Sequence, residues 1–305
     1  VWRVQTVEGD YVIKEIVDRP DAWWIEQLQT ALAFELAAWR SRSIAMAEPI
    51  ATVGTGLLLG GLRVGERHRS YRCHRWVQGR PCLELPPDDE RSHRVGEIVA
   101  GLARLGFHHG TTADQLPWNA LDAYDDTVDE AASEGMDWAQ ALAALRPHVA
   151  ELRDDFVDLA HRATPTMLMH RDLDPKNASL RPDGQVALFD WDSAGPRLLA
   201  SELLGAALSF SGGPRSADTG CVRACVEAYR KSGAPPVDFS DAAAPLIEER
   251  FRWIMLNAWI CLGHRGAPPE QQAFAGSLVR SLAPGWPDSA VATRTWARRL
   301  AERSS

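Results

Sequence analysis

Long apolar runs are missing from this chain of 305 residues, and no stretch approaches the roughly 20 residues needed to cross a bilayer. Its first residues, Val1-Trp2-Arg3-Val4, lack the basic and then apolar profile of a secretion signal, so the expected compartment is the cytoplasm. Cysteine is scarce. The five thiols, Cys73, Cys82, Cys221, Cys225 and Cys261, are odd in number and show no CxxC spacing, which argues against a disulfide framework or a zinc site. Cys221 and Cys225, four apart on an expected helix, read as small buried residues. No internal repeat or low-complexity tract occurs. Basic charge is also in deficit: a net charge of −8 argues against nucleic acid as a partner. What remains, 45% hydrophobic and 24% charged, is the composition of a soluble globular protein with ample core, in one large domain or two lobes.

Two short motifs carry the chemistry. One is His170-Arg171-Asp172-Leu173-Asp174-Pro175-Lys176-Asn177, and the other is Asp190-Trp191-Asp192. Moving a phosphoryl group to a hydroxyl needs a carboxylate that positions the hydroxyl and accepts its proton, together with a divalent metal among the phosphate oxygens. Asp172 is the candidate base. Magnesium favours hard oxygen ligands and keeps several waters, so one amide oxygen and one carboxylate suffice beside the phosphates. Asn177 and Asp190 fit those two positions. Asp192 is left open between metal, acceptor and a backbone amide. Met167-Leu168-Met169 reads as a strand delivering His170, Arg181-Pro182-Asp183-Gly184 as a turn, and Val186-Ala187-Leu188-Phe189 as a strand ending at Asp190.

The stretch from Met167 to Leu208 resembles the catalytic core of the aminoglycoside phosphotransferase and choline kinase family, small-molecule kinases with a protein-kinase-like fold. Family members usually carry His-Gly-Asp, so Arg171 is a departure toward the protein-kinase form. Asp190 is not followed by Phe-Gly, and no Ala-Pro-Glu with an activation segment follows. Gly195-Pro196-Arg197 leads instead into a helix start at Ser201-Glu202-Leu203-Leu204, which leaves no platform for a protein substrate. The resemblance implies an α+β fold of two lobes: a small β-rich nucleotide-binding lobe over residues 1–78 and a mostly helical catalytic and acceptor-binding lobe over residues 79–305. It implies ATP or GTP with Mg2+ as cofactors and a small molecule as acceptor.

The rest of the chain can be placed on that scheme. Val1 to Thr6 and Tyr11 to Ile16 alternate as strands, with Lys14 in the second, similar to the strand lysine that contacts nucleotide phosphates. A helix is expected from about Asp21 to Arg40, with an apolar stripe of Ile25, Leu28, Leu32, Leu36 and Trp39. By the resemblance, Glu35 pairs with Lys14, Glu26 being the other candidate. The family's glycine-rich hairpin would precede Val1, and its first strand and loop are expected to be lacking through truncation. If they are truly absent, a non-catalytic kinase-like binding protein is the rival class. Ser70 to Gly79 reads as the strand and hinge between lobes, where the backbones of Arg75 and Val77 are expected to contact the adenine.

Further helices are expected through Val95, Ile98, Val99, Leu102 and Leu105, and as one long element through Leu142, Leu145, Val149, Leu152, Phe156 and Leu159. His108-His109 reads as a helix terminus. Between Asp114 and Asp158 there are 12 acidic residues against two arginines, a local net of −10. That excess suits a cationic acceptor such as an aminoglycoside or a basic peptide antibiotic, or else is a solvated helix face. A metabolic acceptor such as choline, homoserine or a sugar is the alternative. A last helix from Ala242 to Leu262, carrying Glu248, Glu249, Arg252, Trp253, Asn257 and Trp259, is a candidate to close the acceptor pocket.

Overall fold

A computed structural model describes residues 1–16, 22–65, 67–112, 119–162, 164–264 and 266–303. Its first third runs β1 (Trp2–Thr6), β2 (Gly9–Ile16), α1 (Ala22–Ser41), β3 (Pro49–Ile50), β4 (Gly60–Val64), β5 (Arg67–Arg75) and β6 (Arg80–Pro81). There follow α2 (Asp89–Arg104), β7 (His108–Thr112), and four helices, α3 (Asn119–Asp122), α4 (Tyr124–Ser133), α5 (Ala139–Ala143) and α6 (Arg146–Arg162). The remainder is β8 (Pro165–Met169), β9 (Ala178–Leu180), β10 (Val186–Leu188), β11 (Gly195–Arg197), α7 (Leu199–Phe210), α8 (Thr219–Lys231), α9 (Ala243–Cys261), α10 (Pro269–Leu282) and α11 (Trp286–Glu302). These elements form two compact units, one of Val1–His109, Met167–Arg197 and Gly205–Pro236, the other of Gly110–Thr166, Leu198–Leu204 and Val237–Ser305.

The first unit is built on an antiparallel sheet in the order β1-β2-β5-β3, with β4 also on β5. The β2–β5 register places Lys14 opposite Arg72 and Val12 opposite His74. Because side chains alternate along a strand, Lys14, Arg72 and His74 share one face. Helix α1 buries Leu28, Ala31, Phe34, Glu35 and Ala38, while Leu32, Leu36 and Trp39 are half-buried. The apolar stripe read from sequence is therefore rotated. Small alanines allow close approach, and the buried face must include Glu35, whose charge is answered from β5. The side chain of Ile25 lies outside the described residues.

A second, three-stranded sheet in the order β10-β9-β6 joins the segment after β5 to the hairpin of β9 and β10. Gly79 makes this possible, since a Cβ there would come within 2.5 Å of the Leu180 carbonyl oxygen. At α2, Gly96 lies so close to α8 that a Cβ would collide with the Cys225 carbonyl oxygen. Cys221 and Cys225 are buried on α8, as expected. Beyond α2, Gly106 takes φ +68° and the chain leaves extended, so His108 and His109 begin a strand and do not end a helix.

The second unit is helical. The stripe expected to form one long helix is divided between α5 and α6, because Pro147 has no N–H to continue the first and sits at the start of the second. Tyr124, Phe251 and Trp286 pack as an aromatic group, and the Tyr124 hydroxyl donates to the Leu142 carbonyl at 2.7 Å. On α9, Glu248 is fully buried and holds Arg252, Asn257 donates to the Trp253 carbonyl at 2.7 Å, and Trp259 donates to Thr127 at 2.9 Å. The polar groups of Glu248, Asn257 and Trp259, expected at an acceptor pocket, are bonded within this unit. No described helix is long and apolar enough to cross a membrane.

Candidate active site

Strand β8 is followed by His170, whose ring is fully buried. Its Nε2–H donates to the Phe189 carbonyl at 3.2 Å, and its Nδ1 accepts the Asp172 N–H at 3.4 Å. That pattern requires the neutral ring, and burial lowers its pKa below the ordinary histidine value. Trp191 packs against it with ring centroids 4.7 Å apart and is backed by Phe34 at 6.0 Å. Arg171 turns the chain with φ +66°, a left-handed backbone that favours glycine, and Arg197 holds its carbonyl at 2.7 Å.

The next turn brings Asp172 and Asn177 together. The Asp174 side chain accepts the Lys176 N–H at 3.0 Å, and Pro175 fills the first position of the short helical turn. Asn177 then donates its amide nitrogen to Asp172 Oδ2 at 2.7 Å and to the Asp172 carbonyl at 3.0 Å. Its amide oxygen has no protein partner among the described residues. Lys176 Nζ lies 3.0 Å from the other Asp172 oxygen. Burial opposes the charge on Lys176, yet Asp172 outweighs it and raises the ammonium pKa.

Asp190 follows β10 in a left-handed backbone, φ +64° and ψ +63°. Its Oδ1 meets Lys14 Nζ at 2.5 Å, and Oδ2 has no protein partner among the described residues. Asp192 is engaged by cations, an arrangement that the sequence reading had not considered: Oδ2 lies 2.7 Å from Lys14, and Oδ1 accepts from Arg72. Burial works against ionisation of Asp192, but Arg72 and Lys14 hold its carboxyl below the usual range. Lys14 is likewise raised, burial being outweighed by Asp192 and Asp190.

The expected Lys14–Glu35 pair does not form. Glu35 accepts from Arg72 and bonds His74 Nε2 at 2.8 Å, whereas Glu26 is exposed. Arg72 stands between Lys14 and Glu35 as the next cation on the same sheet face, and its planar fork bridges two carboxylates where an ammonium could not. Lys14 and Arg72 together face Glu35, Asp190 and Asp192, so with the His74 ring neutral one carboxylate charge is uncompensated. Asp190 Oδ2 and the Asn177 amide oxygen are hard donors beside that excess charge, which fits magnesium.

Where the hinge was expected, the Arg75 N–H donates to the Glu48 carbonyl at 2.9 Å and the Trp76 N–H to the Asp10 carbonyl at 2.9 Å. The Arg75 N–H is thus already engaged, while the Val77 N–H has no partner among the described residues. A cleft of about 480 Å³ behind the hinge is lined by Trp39, Met46, Arg75, Trp76, Val77 and Arg181, and by neither Lys14 nor Asp172.

Sequence reasoning missed Arg72 and Lys176. A signal for Lys176 existed: the chain has only three lysines, and two of them, Lys14 and Lys176, lie at the site. For Arg72 there was none, since β5 reads Arg-His-Arg-Ser-Tyr-Arg-Cys-His-Arg and nothing local says which arginine turns inward.

The profile of the Phosphotransferase enzyme family matches residues 1–238. The chain belongs to that family. As a phosphotransferase it is a small-molecule kinase, and its fold is the protein-kinase-like one. Among solved structures, a spectinomycin phosphotransferase with bound ADP and spectinomycin is 13% identical, covers 98% of this phosphotransferase and 89% of its own chain, and superposes with a TM-score of 0.67. An amicoumacin kinase with AMP-PNP and Ca2+ is 13% identical over 94% and 84% of the two chains, with a TM-score of 0.59. The choline kinase LicA from Streptococcus pneumoniae is 12% identical over 92% and 88%, with a TM-score of 0.52. No curated protein sequence matches this phosphotransferase.

Proposed function

We propose that this phosphotransferase moves the γ-phosphoryl group of magnesium-bound ATP or GTP to a hydroxyl of a small cationic molecule. The observation that carries the reading is the Asp172 carboxylate, held on one oxygen by Asn177 and on the other by Lys176, in the same unit as the Lys14–Asp190 pair. In the reaction, Asp172 orients the acceptor hydroxyl. The hydroxyl oxygen bonds to the γ-phosphorus as the bond to the nucleoside diphosphate breaks, and the hydroxyl proton passes late to Asp172, since a loose transition state asks little of a base. Lys14 exchanges a carboxylate partner for the non-transferred phosphates. Asn177 and Asp190 would hold magnesium, which neutralises charge on the leaving group. The Val77 N–H would donate to an acceptor nitrogen on the adenine edge.

Charge supports the cationic acceptor. Within the acidic segment, Asp125 is paired to Arg146 and Arg153, Asp137 to Arg280, and Asp155 to Arg294. Asp122, Asp126, Asp129, Glu134, Asp154 and Asp158 have no ion partner among the described residues, and Asp114 lies outside them. Spectinomycin, amicoumacin and choline in the names of structurally similar proteins are compatible with this class.

The test is nucleotide consumption with magnesium across aminoglycosides, basic peptide antibiotics, choline, homoserine and sugars, with product mass as the readout. A gain of one phosphoryl group on a cationic antibiotic is the expected result. Phosphorylation of homoserine or a sugar alone would shift the reading to an uncharged or zwitterionic metabolic acceptor. No turnover and no nucleotide binding would overturn it in favour of a non-catalytic protein.

A further inference from the structure

Lys14 and Arg72 face each other across an antiparallel strand pair, with their side chains on the same side of the sheet. Like charges in that relation repel. The arrangement holds because carboxylates from two other elements are wedged against them. Glu35 of α1 is fully buried and binds Arg72 Nη2, and Arg72 Nη1 binds Asp192 Oδ1. The second oxygen of Asp192 binds Lys14 at 2.7 Å. The contacts form a line: Glu35, Arg72, Asp192, Lys14. Arg72 is only 2% exposed, so its charge has no recourse to water and its place is set by these two partners.

We propose that Arg72 is a positioning residue for the phosphoryl-transfer site, transmitting the position of helix α1 to Lys14 through Asp192 and keeping Asp192 off the metal so that Asp190 holds it. The proposal rests on the phosphotransferase reading above. Arginine suits the position because its two terminal nitrogens span two carboxylates in one plane, whereas the single ammonium of a lysine cannot hold both at a fixed separation. Glu35 therefore still governs Lys14, but at two removes, through Arg72 and Asp192. Because both oxygens of Asp192 are engaged by cations while Asp190 keeps Oδ2 open, the two acids of the Asp190-Trp191-Asp192 motif have separate duties.

The experiment compares binding of Mg·AMP-PNP and of adenosine, by calorimetry, to the wild type, Arg72→Lys and the double variant Arg72→Met with Glu35→Gln. Arg72→Lys keeps the buried positive charge but not the bridge between the two carboxylates, and the double variant removes both halves of the buried ion pair. A cooperative melt confirms folding of each. Adenosine affinity is expected to stay at the wild-type value, while Mg·AMP-PNP affinity falls by about tenfold or more, the range for groups that orient the ligands of a metal. A merely structural ion pair would lower both affinities together or neither, and either result overturns the proposal. If the wild type binds neither these ligands nor guanosine and Mg·GMP-PNP, the phosphotransferase reading fails first and the role of Arg72 with it. Normal wild-type binding with unchanged Mg·AMP-PNP affinity in both variants sinks the role of Arg72 alone.

Discussion

Lys176 Nζ lies 3.0 Å from Oδ1 of Asp172, so the candidate base carries a cation on the oxygen that Asn177 does not hold. The lysine side chain is 53% exposed, and its ammonium can turn from the carboxylate toward a phosphoryl group arriving beside it. Charge gathers on the equatorial oxygens during transfer, where a cation stabilises it. Replacing Lys176 with Met is expected to lower kcat by about 10²-fold, the loss typical of one preorganised charge-stabilising group. Mg·nucleotide affinity should hardly change, and Lys176→Arg should recover much of the rate. Steady-state kinetics alongside calorimetric binding separates the two effects, and a purely KM effect would place Lys176 outside the chemical step.

Asp172 and Asp190 have different expected failures. Asp172→Asn removes the proton acceptor but keeps the shape, so turnover should drop by about 10²- to 10⁴-fold with nucleotide binding near wild type. Asp190→Ala removes an open hard donor and should abolish the metal dependence of nucleotide binding. Titrating nucleotide with and without magnesium checks both. Loss of all binding in Asp172→Asn would make that residue structural.

The buried neutral ring of His170 ties stability to pH. Burial lowers its folded-state pKa, so the unfolded chain takes up a proton first as pH falls through the ordinary value near 6.5. Stability is therefore fully present above that value and declines as pH drops through and below it. Melting temperatures from pH 8 to pH 5 should fall more steeply for the wild type than for His170→Asn, whose amide can still donate to the Phe189 carbonyl. Parallel curves would show that the ring titrates alike in both states.

Gly96 is expected to be intolerant of any side chain. A Cβ there strikes the Cys225 carbonyl oxygen, a backbone atom on α8 that cannot rotate away. Gly96→Ala should destabilise the protein by about 1–3 kcal/mol, as overpacking of a close contact does. Urea denaturation measures this, and an unchanged midpoint would mean that α2 and α8 separate easily.

The turn from Asp172 to Asn177 was legible because its information is local. Asp174 caps the turn and Pro175 starts it, so spacing alone brings Asn177 back to Asp172. The Lys14–Asp190 contact joins residues 176 apart in sequence, and only the resemblance anticipated that both belong to one site. The partner of Glu35 was misread for a physical reason: the nearest cation on the sheet face is Arg72, and cross-strand register cannot be read from one strand. The same limit turned the face of α1, where the packing of small alanines and one buried acid overrode a plausible stripe of larger apolar residues. Backbone geometry explains the family's usual glycine, which suits the φ of +66° found at Arg171, and does not explain the arginine.

Asp190 presents the converse case. At φ +64° its backbone lies where glycine sits without steric penalty and other residues are strained. Selection for a durable fold alone would have favoured glycine, which a single base change in either aspartate codon supplies. A carboxylate at a place where stability argues against it is what the metal-holding role proposed for Asp190 would demand. Loss of that demand would leave an easy mutational exit toward a folded but inactive descendant.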